Sequence, residues 1–318
     1  MTAVSNPGGA LPGGPMPGGP FPGGPFPGGI GELAGRPVAR IGFGVMQLER
    51  AVVDRDAALA MLRQVVRAGV NHLDTAQFYG RCNELIAAAL APYGDDLVLV
   101  TKVGAVRVDG ARPPLVPAQR PAELRAQVEA NLTALGTDRV GVVNLRRVDA
   151  PPGIIAEGEQ RVPLEDQLAE LVALRDQGKI GGIGLSNVSA EQLRRALPAG
   201  IACVQNSYNV LDRTAEPVLA LCREHGVSWV PFFPLGSAGF LNQPKVTEHP
   251  VVTAIAGELG VTPAQVGLAW LLAHYDRTLL IAGTASPVHL AENLAAGAVK
   301  LPPASRTALD RLFPAANH

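Results

Sequence analysis

Cysteine is scarce in this chain. Cys82, Cys203 and Cys222 are the only three among 318 residues, odd in number and without CxxC or Cys/His ligand spacing. That pattern suggests neither a disulfide framework nor a zinc site, so free buried thiols and no bound metal are expected. An excess of one charge is missing as well. The 27 basic residues balance 28 acidic ones for a net charge of -1, and no basic cluster offers a footprint for nucleic acid or an anionic membrane. Uninterrupted apolar stretches fall short of the ~20 residues a spanning helix needs. The amino terminus has neither the charged start nor the apolar middle of a signal peptide. A cytoplasmic protein whose partners are small molecules is the expectation, with its number of subunits left open.

Glycine and proline, by contrast, are plentiful, with 36 and 28 residues, and they crowd the start of the chain. Residues 12–29 repeat a Pro-Gly-Gly-Pro-apolar unit that holds almost nothing able to build a core. Glycine does not recur every third residue, which excludes collagen. Residues 1–36 therefore read as a disordered Pro/Gly-rich tail. Residues 37–318 read as one domain, in a chain whose 47% hydrophobic content can bury a large core.

Beyond the tail, short apolar runs alternate with amphipathic stretches, the pattern of repeated βα units around a parallel sheet. Strands are expected at 39–44, 70–74, 97–101, 140–145, 180–184, 202–205, 227–232 and 279–282. Helices are expected to start near 55, 82, 121, 163, 189, 214, 263 and 287. Eight units fit a (β/α)8 TIM barrel. Polar and glycine-rich residues collect just past the strands: Asp74 and Tyr79, Lys102, Arg146, Ser186 and Asn187, the 205–208 segment, 233–237 and 283–286. The carboxyl ends of the strands are where such a barrel places its active site.

Asp74-Thr-Ala-Gln-Phe-Tyr79-Gly80, followed by Lys102 after an apolar run, carries the chemistry. An ammonium held by a carboxylate lowers the cost of ionising a nearby phenol, so the three make a proton-donating unit. The other reading of these residues is a buried ion pair that props the barrel, with the tyrosine as filling.

The chain resembles the aldo-keto reductases, NADPH-dependent carbonyl reductases on this barrel. The resemblance covers about residues 38–312 and rests on GVNHLDTAQFYG at 69–80, NELIAAAL at 83–90, VTK at 100–102, GKIGGIGLSN at 178–187, VQNSYN at 204–209, IAGTAS at 281–286 and the Glu292-Asn293 pair. It implies reduction of an aldehyde or ketone by hydride transfer with Tyr79 as proton donor, Lys102 and Asp74 supporting it. Most members carry a histidine where this chain has Arg146. Arginine stays charged, so Arg146 is expected to act as a fixed donor to a carbonyl or anionic oxygen, or else to pair with Asp149. The cofactor residues carried over are Ser186, Asn187 and Gln205 for the carboxamide and Tyr208 for stacking on the nicotinamide. Leu235, Gly236 and Ser237 are carried over along the pyrophosphate, Gly283, Thr284, Ser286 and His289 around the phosphate end, and Glu292 and Asn293 at the adenine. Many members have a lysine at Gly283 and an arginine at His289, which weakens the case for NADPH, yet NADPH stays ahead of NADH. VVNLRR at 142–147, FGVMQL at 43–48 and WVPFFPLG at 229–236 are most similar to a bacterial subgroup that includes pyridoxal reductases. Pyridoxal, another carbonyl of secondary metabolism, or a nucleotide-sensing binding role like that of potassium-channel β-subunits remain the alternatives.

Overall fold

The computed structural model describes residues 26–49, 53–108, 110, 114–150, 153–236 and 244–313. The tail expected over 1–36 lies outside the described residues as far as residue 25. Its end is not tail. Ile30–Leu33 (β1) and Arg36–Ala39 (β2) pair as an antiparallel hairpin. The repeat has run out by then, and Leu33 and Val38 each give the hairpin one apolar side chain to bury. Both are sealed into the barrel with Val98, Val100, Val142, Cys203, Val230 and Leu279. Ser228 Oγ donates to the Glu32 carbonyl at 2.7 Å, fixing the hairpin across that mouth.

The remaining strands are β3 (Phe43–Gly44), β4 (His72–Asp74), β5 (Val98–Val103), β6 (Ala105–Arg107), β7 (Leu115–Pro117), β8 (Val140–Arg146), β9 (Ile180–Ser186), β10 (Ile201–Gln205) and β11 (Ser228–Trp229). β6 and β7 form a small antiparallel hairpin directly beyond β5. The others make one sheet in the order β3-β4-β5-β8-β9-β10-β11, with every pair parallel. The strand expected at 279–282 is reduced to isolated bridges, yet it closes the ring. Leu279 N–H donates to the Trp229 carbonyl at 2.8 Å on one side, and Gly42 N–H donates to the Leu280 carbonyl at 2.8 Å on the other. Closure leaves the barrel without an exposed strand edge.

Helices α1 (Arg55–Arg67), α2 (Cys82–Leu90), α3 (Pro121–Leu135), α4 (Leu164–Asp176), α5 (Ala190–Ala196), α6 (Glu216–His225), α7 (Pro250–Leu259), α8 (Pro263–His274), α9 (Pro287–Ala295) and α10 (Pro303–Asp310) surround the strands. Their ends follow local chemistry. Asp54 caps α1, and Ser189 with Gln192 and Thr262 with Gln265 form capping boxes on α5 and α8. Gly136, Gly226 and Gly260, all left-handed, stop α3, α6 and α7. α7 and α10 lie outside the eight-unit expectation. No single described helix is long and apolar enough to cross a membrane; α7 and α8 would qualify only together, and they bend 94° at their junction.

The core sits mainly between strands and helices, because the outward residues of each strand, such as Leu73, Val143, Ile183 and Val204, are apolar and buried. The inward set changes along the strands. Apolar residues fill the end nearest the hairpin, and Asp74, Lys102, Arg146, Ser186 and Gln205 line the carboxyl end. That alternation with period two is what delivers the polar set to one rim.

Candidate active site

Asp74 ends β4 and faces inward, two residues beyond His72, while Leu73 between them points to the helices. Lys102 lies near the end of β5 and reaches the Asp74 carboxylate in a buried ion pair. Its Nζ also donates to the Thr75 carbonyl at 3.1 Å. The second carboxylate oxygen of Asp74 accepts from Gln205 Nε2 at 2.7 Å, so β4, β5 and β10 meet at one acid. Burial works against the Lys102 charge, but Asp74 and the Tyr79 phenol outweigh it and hold the ammonium above the usual lysine value. Lys102 is therefore a cation throughout the working range.

Tyr79 sits on the loop after β4, where its N–H donates to the Ala76 carbonyl at 3.0 Å. The ring packs edge-on to Phe78 with centroids 5.2 Å apart, and Lys102 Nζ stands 5.2 Å from the centre of the Tyr79 ring. Tyr79 is half-buried, packed against Phe78 and Ala105.

Arg146 ends β8 beside Ser186. Its guanidinium lies over the Phe78 ring at 5.7 Å and against Gly153, where an added Cβ would approach Nη2 to 2.8 Å. Burial lowers its pKa and the nearby Tyr79 opposes that, leaving a guanidinium that stays charged. The alternative partner Asp149 belongs to Arg147 instead, bound by Nε at 2.7 Å and Nη2 at 2.8 Å. Among the described residues no carboxylate pairs with Arg146, and its Nε has no hydrogen-bond partner. A half-buried cation with no carboxylate partner, set beside a phenol, is free to meet an anionic ligand.

The carried-over cofactor residues divide. Ser186 is buried on the inner face of β9, and Gln205 has an unpaired Oε1 beside Asp74. Asn187, at φ 58°, commits its amide nitrogen to the Arg147 and Ala150 carbonyls at 3.3 and 2.9 Å, leaving Oδ1 for another donor. Leu235 is half-buried with its side chain toward Gly267 of α8, and Gly236 turns the loop at φ 100°. Ser237 lies outside the described residues. Ser286 caps α9, accepting from His289 N–H at 3.4 Å, and Thr284 Oγ1 accepts from Ser286 N–H at 3.0 Å. The His289 side chain is exposed at that end. Glu292 is half-buried with its carbonyl bound by Gln265, and Asn293 ties α9 to the Ala282 carbonyl at 3.4 Å. Gly283 has a packing reason: a Cβ there would collide with the Gly44 carbonyl, so no lysine fits without moving β3.

Tyr208 does not serve as a stacking platform. It is fully buried outside the barrel wall, between Trp229 and Trp270, and its hydroxyl donates to Glu216 and lies 2.9 Å from His274 Nε2. The cause is strand parity: Cys203 and Gln205 point inward, so a residue three beyond Gln205 points out. The aromatic on the inner face is Phe232. It bridges Ser207, follows the inward Val230 by two, is half-buried, and packs edge-on to Phe233. Counting parity from Val230 would have found it. Among the described residues no three His, Cys, Asp or Glu side chains converge on a metal site. The three cysteines are buried free thiols, and burial pushes Cys82 and Cys222 up to about 12.

Comparison with known proteins identifies the family. The family model described as Aldo/keto reductase family matches residues 40–313. The chain is 42% identical over 272 residues to "Pyridoxine 4-dehydrogenase" of Escherichia coli (strain K12), covering 83% of this chain and 91% of that one. It is 31% identical to an uncharacterized oxidoreductase of Schizosaccharomyces pombe, over 83% of each. An aldo-keto reductase from Klebsiella pneumoniae solved with NADPH superposes with a TM-score of 0.74 at 26% identity, over 89% of this chain and 93% of that one. With the parallel barrel and its polar rim, these matches establish that the chain belongs to the aldo/keto reductase family and is an oxidoreductase enzyme.

Proposed function

We propose that the protein reduces a carbonyl with NADPH, with Tyr79 as proton donor, and that its substrate bears an anionic oxygen near the carbonyl, as pyridoxal does. The observation that carries this reading is the unmatched Arg146 guanidinium beside Tyr79. Reduction leaves an alkoxide that takes the Tyr79 proton, and the phenolate so formed faces two cations, Lys102 and Arg146. Asp74 keeps Lys102 charged in a buried place. Arg146 donates to the substrate's ionised oxygen, a contact between opposite charges that a neutral histidine does not make.

The residues fit the cofactor. Gln205 Oε1 and Asn187 Oδ1 offer free acceptors for a carboxamide, Phe232 offers an aromatic face, and Gly236 a small residue in the loop beyond β11. When bound, NADPH supplies the hydride. The name of the Escherichia coli relative supports pyridoxal and pyridoxine as the pair interconverted.

The test is NADPH absorbance with pyridoxal and with isonicotinaldehyde, a pyridine aldehyde lacking the ring hydroxyl. Pyridoxal should be preferred, and Arg146→Leu should cut its kcat/KM about 10- to 100-fold while sparing isonicotinaldehyde, matching the ~1.5–3 kcal/mol of a hydrogen bond to a charged group. Equal loss for both aldehydes would sink the anionic-oxygen reading.

A further inference from the structure

Arg146 and Lys102 stand on neighbouring strands, and the β5–β8 ladder that joins them stops at Val103 with Leu145. Beyond that pair the strands are no longer bonded to each other. The side chain of Gln119, 1% exposed just before α3, takes over. Its Nε2 donates to the Gly104 carbonyl, and also to the Arg146 carbonyl at 2.9 Å. Its Oε1 accepts from Gln167 Nε2 at 2.8 Å, and the same Nε2 reaches the Gln119 carbonyl at 2.7 Å. Every polar atom of that amide is used. Gly104 makes the room: at φ 108°, a Cβ there would strike both the Arg146 carbonyl and Gln119 Nε2. The Gly104 N–H is held in turn by Gln127 Oε1 at 2.8 Å.

We infer that Gln119 is a positioning residue: its amide serves as a side-chain rung that sets Arg146 against the Lys102–Tyr79 pair. This rests on the proposed role of Arg146. A rung of this kind fixes separation between two strand ends at the depth where the reacting groups lie, and an error of ~1 Å there can cost up to about 100-fold. Helix packing alone would not require both carbonyls to share one donor.

The test is Gln119→Met, which keeps length and bulk and removes the donors. The preference for pyridoxal over isonicotinaldehyde should fall about tenfold, as in a milder Arg146→Leu, and the two substitutions together should cost no more than Arg146→Leu alone. Hydrogen exchange over residues 102–106 and 144–148 should quicken. Equal loss on both aldehydes, or an unchanged preference, would overturn the inference. If Gln119→Met does not fold, Gln119→Asn, which keeps the amide and withdraws it by one methylene, is read the same way. A wild-type enzyme without the preference would sink the anionic-oxygen reading alone. The positioning role then stands or falls on the basic limb of the pH-rate profile, which moves in Gln119→Met if Arg146 has moved.

Discussion

Behind the barrel wall, buried amides and hydroxyls hand hydrogen bonds to one another. Thr75 Oγ1 donates to Asn83, Asn83 and Thr101 to Asn131, and Asn131 to the Gln127 carbonyl, while Gln167 donates to Gln119. Inside the wall, under the same strands, the His72 ring has only the Leu280 carbonyl to face, Asn144 has a free Nδ2 and Gln205 a free Oε1. Each unmatched buried group costs on the order of 1–3 kcal/mol. Trp229 Nε1 is unpaired behind the wall as well, but the open valence beside the Asp74–Lys102 pair, on Gln205, lies inside, where ligand or water can meet it.

The two tyrosines give the strongest way to break that contrast. Tyr79→Phe, inside, should lower kcat by about 100- to 10,000-fold with the fold intact, the weight of a general acid. More than about a tenth of the rate retained would remove Tyr79 from the mechanism. Tyr208→Phe, outside, should leave kcat within about twofold and cost about 1–2 kcal/mol of stability, because Glu216 loses one donor but keeps Arg223. Urea unfolding beside steady-state rates checks both. A Tyr208→Phe enzyme with intact stability and lost turnover would reverse the assignment.

His72 separates the layers by pH. It is fully buried among Gly42, the Leu280 carbonyl and the barrel interior, and burial lowers its pKa to about 4. In the unfolded chain it titrates near ~6.5, so between those values the unfolded state holds more protons. Stability is fully present above about pH 6.5 and falls as pH drops toward 4, by up to about 3 kcal/mol for this group. His72→Asn should flatten that slope relative to the parent in urea titrations at pH 7.5 and 5. Parallel slopes would mean that the ring is hydrated or paired in solution.

Much of this was legible in the chain, for reasons that differ by residue. Asp74, Lys102 and Arg146 could be placed because each stands at or next to the carboxyl end of its strand, in step with the inward His72, Val100 and Asn144. The helix starts expected near 55, 189 and 263 coincide with α1, α5 and α8, where Asp54, Ser189 and Thr262 cap the first turn. The hairpin at 30–39 was hidden because it follows glycine repeats and buries only Leu33 on one strand and Val38 and Ala39 on the other. Tyr208 was misassigned because motif order was followed past the end of β10, where only parity tells inner from outer. The rung made by Gln119 was invisible, since nothing local ties residue 119 to the carbonyls at 104 and 146.

The smallest effect sharpens the contrast at the exposed end of the cofactor site. His289 stands free at the first turn of α9, and an exposed contact between such a side chain and a phosphate is worth at most about 1 kcal/mol. His289→Ala should raise the KM for NADPH about two- to fivefold and leave the KM for NADH unchanged. A wild-type preference for NADH would overturn the NADPH assignment outright. Gly283→Lys, which would copy the residue many relatives carry, should not tighten NADPH. Its Cβ meets the Gly44 carbonyl at the seam where the last strand closes on β3, so the added charge arrives only with a displaced backbone and a less stable barrel.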